Sequence, residues 1–209
     1  MVTNIKSRSV KISWVDPNNT GDGVLTGFRT KLKEKNSFIQ NITKDKDNEY
    51  DLDNLTPYTT YKISVAVRNK HGFGEETITS FLTSEEAPEG PPLYVKVTAE
   101  SLSSLSVTWE PPEKDKRNGI IVSYTVCISH EESELCFEKY TTKEKMLVIA
   151  SLNALSKYYV RVLASTKVGR GPYGESKGKF TNGKQPKVSK NGTAYTLTFS
   201  LQIPSRNFT

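Results

Sequence analysis

The chain has 209 residues, 25% of them charged, 10% aromatic and 35% hydrophobic. That length suits one large domain or two of about 100 residues, and the composition excludes collagen and wholesale disorder. No stretch approaches the roughly 20 apolar residues of a membrane helix, and Met1–Val10 lacks the apolar core of a signal peptide. The net charge of +6 comes from 29 basic and 23 acidic side chains. By region, residues 1–86 hold 12 of each, residues 87–181 hold 13 and 11, and residues 182–209 hold 4 and none. Neither long region is basic overall, so nucleic acid is not an expected partner.

The first element in chain order is Val10-x-Ile12-x-Trp14, apolar at every second position, as a half-buried strand requires. A second strand follows Asp16-Pro17 and Gly21-Asp22-Gly23, with Phe28, Thr30 and Leu32 expected to point inward. Further on, Tyr61-x-Ile63-x-Val65-x-Val67 alternates in the same way. The pattern then returns in Leu105-x-Val107-x-Trp109 and Tyr158-x-Val160-x-Val162-x-Ala164. Trp14 and Trp109 are 95 residues apart. Tyr50, Leu52, Leu55, Thr59, Tyr61, Gly72 and Gly74 each match a residue 97 further on: Leu147, Ile149, Leu152, Ser156, Tyr158, Gly169 and Gly171. A period near 97 residues is a whole domain rather than a solenoid repeat. Short alternating strands without any helical stripe imply an all-β chain of tandem antiparallel sandwiches.

The set Trp14, Gly27-Phe28, Tyr50-x-Leu52-x-x-Leu55-x-Pro57-x-Thr59-x-Tyr61 and Asn69-x-x-Gly72-x-Gly74 resembles the fibronectin type III family. The second copy carries the same set, with Ala154 in place of the usual proline. The resemblance implies immunoglobulin-like sandwiches in which Trp centres the core and the Leu…Tyr element forms a tyrosine corner. Expected domains are 1–86, with the start of the first strand missing, and 87–181, followed by opening strands of a third repeat at 182–209. Glu85-Glu86-Ala87-Pro88-Glu89-Gly90-Pro91-Pro92 reads as a stiff linker. The chain is read as a fragment of a longer protein.

No catalytic site is expected. Gly174-Glu175-Ser176-Lys177-Gly178 spells a nucleophile elbow, but that fold needs a histidine after the serine, and His71 and His130 both precede it. Asp45, Asp47, Asp51 and Asp53 have Tyr50 where a calcium loop needs glycine. Cys127, Cys136 and His130 lack zinc-ligand spacing. No metal or cofactor is expected.

Cys127, one residue after inward-facing Val126, is expected on the outer face, with Cys136 opposite it on the neighbouring strand. The pair forms a disulfide in an oxidising compartment and two thiols in a reducing one. Five Asn-x-Ser/Thr sequons, at Asn18, Asn41, Asn54, Asn191 and Asn207, are candidate glycosylation sites and point with the cysteines to an extracellular location. Strand parity puts Arg29, Lys31, Lys33 and Lys35 outward on one strand and Lys62, Arg68 and Lys70 outward on another. The family makes these strands neighbours, so the seven form a candidate face for a glycosaminoglycan or another acidic partner. The alternative is a solvated face whose lysines discourage association.

The resemblance implies a non-enzymatic spacer and protein-binding module in the ectodomain of a membrane-anchored adhesion molecule or signalling receptor. Two other parents fit the repeat: a receptor tyrosine phosphatase with its catalytic domain outside this chain, and an intracellular structural array of the muscle type.

Overall fold

A computed structural model describes residues 1–18, 23–34, 37–44, 47–132 and 135–181. The expected third-repeat strands at 182–209, with Asn191 and Asn207, lie outside the described residues, as does Lys35.

The first sandwich contains β1 (Val2–Thr3), β2 (Val10–Ser13), β3 (Gly27–Glu34), β4 (Ser37–Lys44), β5 (Glu49–Leu52), β6 (Thr60–Asn69), β7 (Gly72–Phe73) and β8 (Thr77–Leu82). One sheet has the order β1-β2-β5, and the other β4-β3-β6-β7, with β8 also paired to β6. The second contains β9 (Leu93–Ser101), β10 (Ser104–Glu110), β11 (Ser123–Ser129), β12 (Glu138–Thr142), β13 (Met146–Ile149), β14 (Lys157–Ser165) and β15 (Lys177–Phe180). Its sheets run β13-β10-β9 and β12-β11-β14-β15, and all the pairings are antiparallel. A single 3-10 turn, Lys114–Lys116, is the helical element among the described residues.

Period-2 alternation explains these elements, because each strand buries one side against the facing sheet. Val10, Ile12, Leu32, Leu52, Tyr61, Ile63 and Phe81 close the first core, with Trp14 partly buried beside it. Leu105, Val107, Trp109, Val126, Ile128, Ile149, Val160 and Val162 close the second. Each core has its tyrosine corner. The Tyr61 hydroxyl accepts the Thr56 N–H at 2.8 Å, and the Tyr158 hydroxyl accepts the Asn153 N–H at 2.9 Å. A threonine braces each corner from the last strand's end. Thr83 donates to the Thr56 carbonyl at 2.7 Å and accepts the Thr59 N–H at 2.9 Å. Thr181 donates to Asn153 at 2.8 Å and accepts from Ser156 at 3.1 Å.

The linker is docked along the loops of the second sandwich. The Glu86 N–H donates to the Asn118 carbonyl at 2.9 Å, and its carbonyl accepts the Thr166 hydroxyl at 2.7 Å. Asn118 Nδ2 reaches the Ala87 carbonyl at 3.2 Å, and the Glu89 N–H the Lys116 carbonyl at 2.9 Å. From the first sandwich, the Arg8 guanidinium grips the Glu86 carboxylate at 2.7–3.1 Å. A side chain at Gly171 has no room, since its Cβ would lie 2.8 Å from Pro88 Cβ and 2.9 Å from Pro88 O. Gly171→Ala is expected to lift Pro88 off its seat. Small-angle scattering should then report a longer, more variable interdomain distance, while the urea midpoint of an isolated 87–181 fragment stays close to that of the unsubstituted fragment.

Candidate functional site

The strand pleat places the basic residues on the outer face of the larger sheet. In the β3–β6 register Phe28, Thr30 and Leu32 oppose Val67, Val65 and Ile63 toward the core. Arg29, Lys31 and Lys33 therefore oppose Ala66, Ser64 and Lys62 outward. Lys33 and Lys62 face each other directly, both exposed, and no carboxylate pairs with either among the described residues. Arg68 is exposed near the end of β6, and Lys70 is exposed in the turn beyond it. Of the seven residues read as one stripe, six fall in the described region.

Two of the six are not open to solvent as the parity argument supposed. Glu76, just before β8, receives Arg29 Nη2 at 3.2 Å and a short contact from Lys31 Nζ. The Ser64 hydroxyl also bonds its carboxylate. The Lys31 and Ser64 hydrogen bonds hold the Glu76 carboxyl below its ordinary value, with the Arg29 charge adding to them. The Arg29 guanidinium lies 4.0 Å from the centroid of Phe73, whose ring also has Arg68 at 5.6 Å. Such cation–π contacts hold both planes against the sheet. Glu76 was missed because Gly74-Glu75-Glu76 carries no strand pattern, and only the hairpin's closure swings one glutamate over β6.

The second sandwich uses the equivalent face differently. Cys127 and Cys136 form a disulfide with Cα atoms 5.3 Å apart. Cys136 stands two residues before β12 rather than in it, and Cys127 opposes Lys139 there. Although it points away from the core, Cys127 is fully buried. Arg161 Nε lies 3.4 Å from its sulfur, and the Arg161 guanidinium packs 5.1 Å from the Tyr173 ring.

Among the sequons, Asn18 and Asn54 are exposed, and Asn41 lies in β4 opposite Lys31. Asn54 adopts the left-handed conformation, φ 59°, at the tyrosine corner, and Thr56 two residues on is exposed.

A cleft between the free edges of β12 and β13 is lined by Glu138, Tyr140 and Asn153. Burial and the Glu138 hydrogen bond push the Tyr140 hydroxyl up to about 12, far from a working base at neutral pH. No cluster of three metal-ligating side chains occurs among the described residues, and no helix there is long and apolar enough to cross a membrane.

The fibronectin type III domain model matches residues 1–83 and 90–177. The chain belongs to the fibronectin type III family. The chain is 30% identical over 207 residues to the cell adhesion molecule Dscam1 of Drosophila melanogaster, covering 94% of this chain and 10% of that protein. The tyrosine-protein phosphatase Lar of the same organism is 34% identical over 175 residues, 80% of this chain and 8% of Lar. Human cell adhesion molecule DSCAML1 is 32% identical over 203 residues, 92% of this chain and 10% of the relative. The chain thus spans a tenth or less of these proteins. Among solved structures, the FN1–FN3 domains of chicken CNTN1 superpose with a TM-score of 0.63 at 18% identity, over 85% of this chain and 63% of that one. These likenesses identify a tandem, non-catalytic module of the kind found in adhesion and receptor proteins.

Because the Glu76 carboxyl is held below its ordinary value, its contribution to stability is complete above that value and is lost as pH falls through the folded one. Glu76→Gln is expected to flatten the acid limb of stability against pH below about 4.5, read by urea unfolding. Cys127→Ala/Cys136→Ala is expected to destabilise the second domain by about 2–4 kcal/mol while leaving the first domain's transition in place, read by calorimetry.

Proposed function

We propose that the chain is an extracellular, non-enzymatic segment of a membrane-anchored adhesion receptor. In this reading the docked linker spaces two domains, and the first domain offers its outer sheet face to a sulfated glycosaminoglycan or another acidic partner. The observation carrying the binding reading is the exposed Lys33–Lys62 pair, which lacks any described carboxylate partner, while exposed Arg68 and Lys70 stand about 20 Å away at the other end of β6. Like charges held opposite each other on a strand pair are mutually destabilising, and an anion laid across them relieves that repulsion. The location is supported by the Cys127–Cys136 disulfide, a bond that persists in oxidising compartments. A receptor phosphatase ectodomain is a second reading, favoured by the 34% identity to Lar, and it would place catalysis outside these residues. An intracellular muscle-type array would keep both thiols reduced.

Secretion from animal cells behind a supplied signal peptide, followed by intact-mass measurement before and after glycosidase with thiol labelling, tests the location. Glycan mass at Asn18, Asn41 or Asn54 with blocked cysteines is expected. An unmodified chain with two free thiols would favour the intracellular array. For binding, Lys33→Ala/Lys62→Ala is expected to weaken retention on immobilised heparin by about three- to tenfold at low salt. Unchanged retention removes the face from the function.

A further inference from the structure

The Glu76 carboxylate sits where an anionic ligand would sit. It takes a guanidinium, an ammonium and a hydroxyl from Arg29, Lys31 and Ser64, three donors on adjacent strands. That donor set, backed by Phe73 behind Arg29, is the chemistry of a sulfate or carboxylate cradle. Ser64 and Ala66 are buried beneath the charged side chains, so the cradle has a closed floor. Arg29 Nε–H is itself buried with no acceptor among the described residues, a donor left over by Glu76. One register step along β3 stand Lys33 and Lys62, about 7 Å away at the rise of a strand.

We infer that Glu76 is an internal anion that masks half of the binding face, and that a polyanion must displace it to engage Arg29 and Lys31. This rests on the reading of the face as a glycosaminoglycan site. Displacement is feasible because the ion pairs are partly exposed: the Arg29, Lys31 and Glu76 side chains retain 24%, 29% and 30% of their accessible surface. Ion pairs of that exposure hold each other weakly, by no more than about fivefold in an equilibrium constant. A single carboxylate is thereby outcompeted by a chain carrying several sulfates, which engages the cradle and the Lys33–Lys62 pair together. Glu76 also supplies selectivity, since a monovalent anion gains too little from the cradle to replace it.

The test uses the full chain and immobilised heparin. Glu76→Gln is expected to elute at higher salt and to bind about three- to fivefold tighter, the factor set by releasing one or two such pairs. Glu75→Gln makes the same change of net charge on the adjacent exposed residue, which has no described ion pair, and is expected to bind nearly as wild type. Equal gains from the two variants would reduce the effect to net charge and overturn the mask, leaving the basic face standing. Loss of wild-type retention on Lys33→Ala/Lys62→Ala, with no gain from Glu76→Gln, would likewise overturn the mask alone. Absence of retention for both wild type and Glu76→Gln would overturn mask and face together. If Glu76→Gln fails to fold, Glu76→Asp keeps the charge but shortens its reach. It is expected to shift elution in the same direction by less, and no shift overturns the proposal.

Discussion

Burial of Phe28, Leu32 and Ile63 against the opposite sheet fixes the pleat of β3 and β6, and the pleat sends Arg29, Lys31, Lys33 and Lys62 to the other side. A slip of one residue would exchange the two sets, placing cations in the core. Fully burying each large apolar side chain contributes about 1.5–3 kcal/mol. The repulsion between Lys33 and Lys62 costs only about 0.2–1 kcal/mol. The core therefore dictates the register, and the concentration of positive charge is tolerated as its by-product. An electrostatically neutral domain thus acquires one basic face without any basic stretch that composition would reveal.

The two repeats close the same outer face by different chemistry. In the first, Glu76 crosses from the β7–β8 junction and binds two cations of β3 through half-buried ion pairs. In the second, a covalent bond from Cys136 covers β11, with Arg161 and Tyr173 over it. Thr125 and Ser129, which stand on the β11 side where the first repeat carries lysines on β3, are buried. A covered face of that kind has few groups to offer a ligand, whereas the ion-paired one keeps its cations at the surface, held only by a carboxylate. On the function proposed above, this difference assigns the binding to the first repeat and the spacing to the second.

Much of this was legible in the sequence. The 97-residue repeat, the alternating strands and the Tyr61 and Tyr158 corners rest on local patterns that the structure reproduces. The contacts that escaped are those between segments far apart in sequence. Thr83 and Thr181 look like ordinary strand-end residues, and only the closing of each sandwich brings them against the corner. Glu76 has no pattern of its own, and Cys127 looks exposed by parity until Arg161 and Tyr173 fold over it. Strand parity tells which side a residue leaves from; it does not tell what arrives to cover it.

The paired glycines show how one backbone device serves both repeats. Gly72 and Gly74 match Gly169 and Gly171, and the N–H groups of Gly74 and Gly171 donate back to Val67 and Ala164 at 2.9 and 2.8 Å. In the second repeat this tight return lets Pro88 approach Gly171, so that glycine seats the linker while Arg170 and Pro172 on either side of it stay exposed. In the first repeat a Cβ built at Gly74, the match of Gly171, meets only Val67, at 3.6 and 3.8 Å. There the residue between the glycines is Phe73, and its ring supports Arg29 and Arg68 instead. The residue at the matching position in the second repeat is Arg170, 97 further on. The two loops thus share the glycine return to the neighbouring strand and differ in what packs on it, an aromatic ring under two guanidinium groups in the first repeat and a proline of the linker in the second.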